Sequence, residues 1–223
     1  MSGTSPVAVP VVIDAQPLTS VAAGGGIASY IRNLLQTLAG RDDVALTALC
    51  TAGAVLPEGV ARMPISRVGR RGRVQVIEHA VRLPVEARRG RPASSVFHTA
   101  SFHAPFGVRA PKVQTLFDVI PLVFDAPDLA RLRARWKRFG PRYRDAAAVV
   151  AISRHAANEG IRLLGLDPAR VHVAHLGVDG SFCVGAAAED EGAPYVLVVS
   201  EYSARKGFAE AFAVMDELVE AGF

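Results

Sequence analysis

Short apolar runs rich in β-branched residues recur along the whole chain and alternate with stretches of helical periodicity. Strands buried on both faces have this continuous apolar character, and a helix between each pair lets neighbouring strands run parallel. The alternation therefore predicts an α/β fold with a Rossmann-like, doubly wound parallel sheet. The predicted strands are residues 7–13, 44–50, 96–98, 113–117, 147–152, 171–174 and 195–200.

Helices are predicted between these strands from apolar spacing and from their end residues. Residues 27–39 place Ile27, Ile31 and Leu35 on one face. Ser153 is suited to cap a helix over 154–164, and Gly165 stands where that helix should end.

A change in composition after residue 180 divides the chain. Residues 181–194 contain three consecutive alanines and an acidic run, which is typical of a linker. We therefore expect a Rossmann-like domain over 1–180, a linker over 181–194, and the first strand and helix of a second domain over 195–223. One strand and one helix cannot cover their own apolar faces, so we expect this second domain to be incomplete within the 223 residues.

Cysteine content and the first residues predict where the protein works. Two cysteines are too few for a disulfide framework and lack metal-ligand spacing, so we expect a reducing compartment and no metal site. The first residues carry no basic segment ahead of an apolar one, and Pro10 and Asp14 interrupt the first apolar run. These features predict a cytoplasmic protein without a signal peptide.

Arginine is concentrated in three clusters, at 67–73, 82–91 and 131–144, within a net charge of +4. Such clusters suit phosphate groups or anionic membrane headgroups, although solvated surface is the commoner meaning. The clusters at 67–73 and 82–91 contain no aromatic residue, which argues against nucleic-acid binding there.

Gly24, Gly25 and Gly26 form the first candidate site, between the first strand and the first helix. Glycines there allow backbone N–H groups and the positive helix end to approach a phosphate or a sugar. The spacing does not fit the dinucleotide fingerprint, because about ten residues separate the strand from the glycines. The structural alternative is a flexible loop.

Asp118 is the second candidate, because the strand 113–117 delivers it to the carboxyl edge of the sheet, where α/β folds bind ligands. The alternative is that its carboxylate only hydrogen-bonds the loop that follows. Arg205 and Lys206 are the third candidate. Two adjacent cations before a helix oppose its dipole and repel each other, and a bound anion would offset both effects.

Taken together, these segments resemble glycosyltransferase family 4, whose members have the GT-B arrangement of two Rossmann-like domains across a cleft. The resemblance implies that Gly25 and Gly26 lie near the donor diphosphate and that Arg205 and Lys206 contact the donor phosphates. It also implies transfer with retention and no metal or other cofactor. The matching segments are 25–34, 97–105, 115–127, 150–153, 176–182 and 195–207.

Two departures from the family pattern bear on activity. Many relatives have Thr-x-His-Asp where this chain has Thr115, Phe117 and Asp118, so the imidazole is replaced by a phenyl ring. His98 or His103 is a candidate to approach the same site instead. Relatives also carry a pair of glutamates later in the second domain, which these 223 residues do not include.

The sequence thus predicts a glycosyltransferase that moves a hexosyl group, with mannose as the working guess, from a nucleotide sugar to a lipid-linked or polysaccharide acceptor. Asp118 is its expected catalytic residue, and Gly25, Gly26, His98, Arg205 and Lys206 are its expected substrate contacts. The alternative is a catalytically inactive binding module of the same origin. Peripheral attachment to the inner face of the membrane through 129–144, and a homodimer through the apolar face of the last helix, are further expectations.

Overall fold

The computed structural model describes residues 8–19, 24–65, 96–100, 110–180, 182, 195–200 and 206–222. The chain divides into two compact units, Met1–Asp179 and Gly180–Phe223. Two of the arginine clusters, His103, Arg205 and nearly all of the predicted linker lie outside the described residues.

Within the described part of the first unit, seven strands form one sheet in the order β3-β2-β1-β4-β5-β6-β7, and every neighbouring pair is parallel. The strand order reverses direction between β1 and β4, which confirms the doubly wound prediction. The strands are β1 (Val9–Asp14), β2 (Val44–Cys50), β3 (Ala61–Pro64), β4 (Val96–Thr99), β5 (Lys112–Leu116), β6 (Ala148–Ala151) and β7 (Val171–Val173).

The helices connect and cover these strands. Ser153 caps α4 by accepting a hydrogen bond from the backbone N–H of Ala156 at 3.0 Å, and Gly165 ends it in the left-handed conformation at φ 64°. Both predicted boundaries of this helix are confirmed. The helices are α1 (Gly26–Ala39), α2 (Ile120–Val123), α3 (Ala130–Phe139), α4 (Arg154–Leu164) and, in the second unit, α5 (Phe208–Glu220).

Helices α1 and α4 cover opposite faces of the sheet. Successive strand residues point to opposite faces. On β5, Thr115 is hydrogen-bonded to α1, whereas the next residue, Leu116, lies against Gly160 of α4. The α1 side buries Ile13, Ile31, Leu35, Ala48 and Cys50, and the α4 side buries Leu116, Trp136, Tyr143, Val149 and Leu164.

One predicted strand is wrong, and one strand of the sheet is not predicted. Residues 195–200 are not a strand, since they join no ladder and their apolar side chains are exposed. A β-strand is stable only when its backbone groups pair with a neighbour, and none is available among the described residues. Conversely, β3 was not predicted, because Ala61–Pro64 has no β-branched residue and forms only the sheet edge.

In the second unit, α5 has no buried residue. Phe208 and Phe212 are one turn apart, with ring centroids at 6.4 Å. Dimerisation through this helix stays a prediction.

Candidate functional site

The candidate site lies at the carboxyl edge of the sheet, where strand order reverses between β1 and β4. Open parallel sheets bind ligands at this edge because the loops on either side of the reversal diverge there. Three described groups of the first unit reach it: the N-terminus of α1, the residues that follow β5, and the end of β1.

The N-terminus of α1 is uncapped among the described residues. Gly25 is the N-cap, with φ −84° and ψ 169°, and no side chain caps the helix. A Cβ added at Gly24 or Gly26 would meet no atom within 4 Å, and both residues are exposed. The first turn contains no acidic residue. As far as the described residues extend, the positive end of this 14-residue helix is therefore available to an anion.

Asp118 lies two residues beyond β5 and is exposed. One carboxylate oxygen accepts a hydrogen bond from the backbone N–H of Ile120 at 3.0 Å, which fixes the turn into α2. The loop-stabilising alternative is thus present in the structure. Exposure of the carboxylate leaves it accessible to a ligand as well.

Tyr30 of α1 joins the helix to the end of β5. Its hydroxyl is 3.1 Å from Oγ1 of Thr115, and its ring meets the ring of Phe117 edge-on, with centroids 5.3 Å apart and planes at 87°. These contacts place the helix end that carries Gly25 and Gly26 at the same edge as Asp118.

His98 lies beside this junction. Its Nε2 is 2.9 Å from Oγ1 of Thr115, and burial lowers the pKa of the imidazole from 6.5 to about 4. The ring is therefore neutral near pH 7. Burial also raises the pKa of Tyr30, an effect that its hydrogen bond to Thr115 partly offsets. His98 of β4 thus contacts Thr115 of β5. Its role as a substrate contact stays a prediction.

Phe117, the residue in the place of the family histidine, packs into the apolar cluster beneath α1. Its ring contacts Tyr30, and the side chain directly before Asp118 therefore carries no titratable group.

Lys206 belongs to the second unit. It is exposed and precedes Gly207, which is the N-cap of α5 in the left-handed conformation at φ 68°. Its partner in the prediction, Arg205, lies outside the described residues.

The end of β1 is the group that sequence reasoning missed. Asp14 is 1% exposed, and its carboxylate accepts hydrogen bonds from Gln16 and from Thr99 at the end of β4. A signal was available, because Asp14 follows a buried apolar strand just as Asp118 does.

Among the described residues, no three His, Cys, Asp or Glu side chains come together in a way that would hold a metal ion. No helix there is both long and apolar enough to cross a membrane.

Comparison with known proteins gives one family. The sequence model of Glycosyltransferase Family 4 matches residues 24–182. No curated protein matches the chain.

Solved structures with a similar fold include a UDP-N-acetylglucosamine 2-epimerase from Rickettsia bellii, at 9% identity, TM-score 0.47 and 77% of this chain. They also include Alr3699/HepE of Anabaena, solved with UDP at 15% identity, TM-score 0.43 and 78% of this chain. The same Anabaena protein solved with UDP and glucose gives 18% identity, TM-score 0.43 and 77% of this chain. In each comparison this chain spans 45% of the other chain.

Proposed function

The chain belongs to glycosyltransferase family 4, and we propose that it serves the transfer of a hexosyl group from a nucleotide sugar to a lipid-linked or polysaccharide acceptor. The proposed transfer retains the configuration of the sugar, with a mannose-like hexose as the working substrate. The proposed location is the cytoplasm, at the inner face of the membrane.

The observation that carries this proposal is the junction between α1 and β5. The contacts of Tyr30 with Thr115 and Phe117 hold the helix N-terminus and the exposed Asp118 carboxylate at one edge of the sheet. One group attracts anions and the other accepts hydrogen bonds from hydroxyls. A reaction between a sugar diphosphate and a hydroxyl acceptor requires both.

The proposed roles follow from charge. A nucleoside diphosphate gains negative charge as it leaves, and the N–H groups beyond Gly25 and Gly26 would stabilise it. For Arg205 and Lys206 the phosphate contact that the family resemblance implies is kept as a proposal. Asp118 would accept a hydrogen bond from the acceptor hydroxyl and so orient it for transfer.

A transfer assay tests the proposal. The protein is incubated with UDP-glucose or GDP-mannose and a lipid or polysaccharide extract, and acceptor-dependent release of nucleoside diphosphate is measured. We expect release with at least one donor. We expect Asp118→Asn to slow it about a hundredfold, the usual scale for a lost proton-transfer or orienting carboxylate.

The asparagine variant is a sharp test because its side-chain oxygen still accepts from the N–H of Ile120, so the turn is kept. Asp128→Asn is the matched control, since Asp128 is also an exposed carboxylate and lies in the 3-10 turn Pro127–Leu129. Equal rates for the two variants would refute a role for Asp118.

A binding module without transfer activity is the second candidate. The packing of Phe117 against Tyr30 favours it, because position 117 then offers no group able to exchange a proton. Binding of an acceptor extract without nucleotide release from any donor would support this candidate over the enzyme.

Peripheral membrane attachment is proposed for the basic segment 129–144. Arg131, Arg135, Lys137 and Arg138 are exposed, whereas Arg133 is tied to Asp125 at 2.7 Å. Exposed cations attract anionic headgroups over about one Debye length, so the binding falls as salt rises.

Sedimentation with phosphatidylglycerol vesicles at low and physiological salt measures this attachment. Arg135→Gln/Arg138→Gln should weaken binding, whereas Arg41→Gln, which removes an exposed cation paired with Asp43, should not. Binding that is independent of salt, or equal for all variants, would exclude an electrostatic surface on α3.

A further inference from the structure

Three buried polar side chains lie side by side across the centre of the sheet. Thr99 of β4 is in register with Gln114 of β5, and Asp14 of β1 reaches the Thr99 hydroxyl, 3.3 Å from its Oδ2. Each is at most 1% exposed. Buried polar groups weaken a core unless they are hydrogen-bonded. The row lies where the strand order reverses, so the hydrogen bonds of its members bear on the candidate site.

Asp14 fixes the turn that leaves β1. Its Oδ1 accepts from the backbone N–H of Gln16 at 3.2 Å and from Nε2 of the same residue at 3.0 Å. The 3-10 turn Gln16–Thr19 is held at its other end by Thr19, whose hydroxyl is 2.6 Å from that of Thr51 at the end of β2. The side-chain amide of Gln16 is therefore held in one orientation.

That orientation leaves two polar sites of the amide for a ligand. A carboxylate oxygen only accepts, so the amide nitrogen faces Asp14 and the carbonyl Oε1 faces away from it. Gln16 is half-buried, and among the described residues none donates to Oε1. One hydrogen of Nε2 also remains beyond the one donated to Asp14.

The two remaining polar sites on the Gln16 amide select the kind of ligand. An ionised phosphate has acceptors only, so it could not donate a hydrogen bond to Oε1. A sugar hydroxyl is neutral and can both donate and accept a hydrogen bond. It can therefore donate to Oε1 of Gln16 or accept from the remaining hydrogen on Nε2. Neighbouring hydroxyls of a glycan fit this pair, whereas phosphate does not.

We propose that Gln16 binds hydroxyl groups of the neutral glycan acceptor and that Asp14 is the positioning residue that aims its amide. The proposal rests on the proposed function for the identity of the ligand as an acceptor. It assigns the anion-binding and hydroxyl-binding tasks to different groups at the edge: the N-terminus of α1 takes the diphosphate, and the turn after β1 takes the glycan.

The test is NMR titration of the isotopically labelled chain with methyl α-mannoside, methyl α-glucoside and UDP. The side-chain amide signals of Gln16 report directly on its hydrogen bonds. At least one glycoside should shift them, and UDP should not. Gln16→Ala should weaken glycoside binding about three- to tenfold, the range for one net hydrogen bond to a neutral group. Gln16→Glu should weaken it more, because a second carboxylate would face Asp14.

Gln36→Ala is the matched control, because Gln36 is an exposed glutamine on α1 that should leave the affinity unchanged. Asp14→Asn, once shown to be folded by its backbone amide spectrum, should shift the free Gln16 signals and weaken glycosides as Gln16→Ala does. The double variant should be no weaker than either single variant, since both act through one contact.

Three results would overturn the proposal: no glycoside shifts the Gln16 signals at the highest soluble concentration, UDP alone shifts them, or Gln16→Ala binds glycosides as the wild type does. Failure of sugar transfer would leave these measurements intact. A glycoside contact at Gln16 without transfer would retain the site and reject the enzyme.

Discussion

Tyr30 and Thr115 are separated by 85 positions in the sequence, yet their hydroxyl oxygens are 3.1 Å apart. Thr115 is fully buried and also contacts His98, so one hydroxyl connects α1, β4 and β5. The position of the helix that opens with Gly25 and Gly26 depends on this connection.

Tyr30→Phe removes the hydroxyl and keeps the ring against Phe117. We expect the free energy of unfolding to fall by about 1 kcal/mol, because a hydrogen bond is lost while the apolar packing stays. Urea denaturation measures this difference. Tyr195→Phe, at a tyrosine that is 73% exposed, should change it by much less. Equal values for both variants would mean that the Tyr30 hydroxyl contributes nothing to stability.

Gly160→Ala tests how closely α4 approaches the sheet. An added Cβ would lie 2.5 Å from a methyl of Leu116 and 3.1 Å from one of Leu166. Overpacking of this kind costs about 1–3 kcal/mol of unfolding free energy. Gly40→Ala is the control, since its Cβ would be 3.8 Å from the nearest atom. A Gly160→Ala protein as stable as Gly40→Ala would show that the helix can move away without loss.

The pH dependence of stability tests the burial of His98. Its pKa is about 4 in the folded chain against 6.5 when exposed, so the unfolded chain binds more protons between these values. Stability should therefore be full above about pH 6.5 and fall towards pH 4, by up to roughly 3 kcal/mol.

Urea denaturation of His98→Gln over the same range should show a smaller fall, because the titrating group is gone. His155→Gln, at an exposed histidine, should behave as the wild type. A fall that is unchanged in His98→Gln would assign the effect to other groups.

Gly26→Ala separates stability from ligand binding. Alanine is the better helix former by up to about 1 kcal/mol, and its Cβ meets no atom within 4 Å, so the free energy of unfolding should be equal or higher. The methyl group would instead occupy space in front of the N–H groups, so sugar transfer should slow. Gly40→Ala, at the other end of α1, should leave transfer unchanged. Unaltered transfer in Gly26→Ala would remove this helix end from the donor site.

The sequence predicted the parallel sheet because its strands carry a continuous apolar signal, and it predicted the ends of α4 because Ser153 and Gly165 have strong end preferences. The short edge strand β3 has neither signal. Residues 195–200 have a strand-like sequence, but a strand also needs a partner, and sequence pattern does not report whether one is present.

Part of the candidate site can be predicted from local sequence, and part depends on contacts between distant residues. Gly25, Gly26 and Asp118 are marked by residue type and by their place after a strand. The contact of His98 with Thr115 depends on which face of β4 the imidazole occupies and on the register of two strands. The pairing of Asp14 with Thr99 joins residues 85 positions apart, and no local pattern carries that information.

The place of β1 at the centre of the sheet has a consequence for how the chain acquires its structure. β1 is the first described strand to be synthesised, yet its neighbour β4 begins only at Val96, and the two chain segments must close a long loop to meet. Loops of this length form slowly, and the edge of β1 that β4 later covers is prone to pair with other molecules in the meantime. We expect refolding to slow and aggregation to rise when mutations weaken the β1–β4 ladder, even where the final stability is little changed.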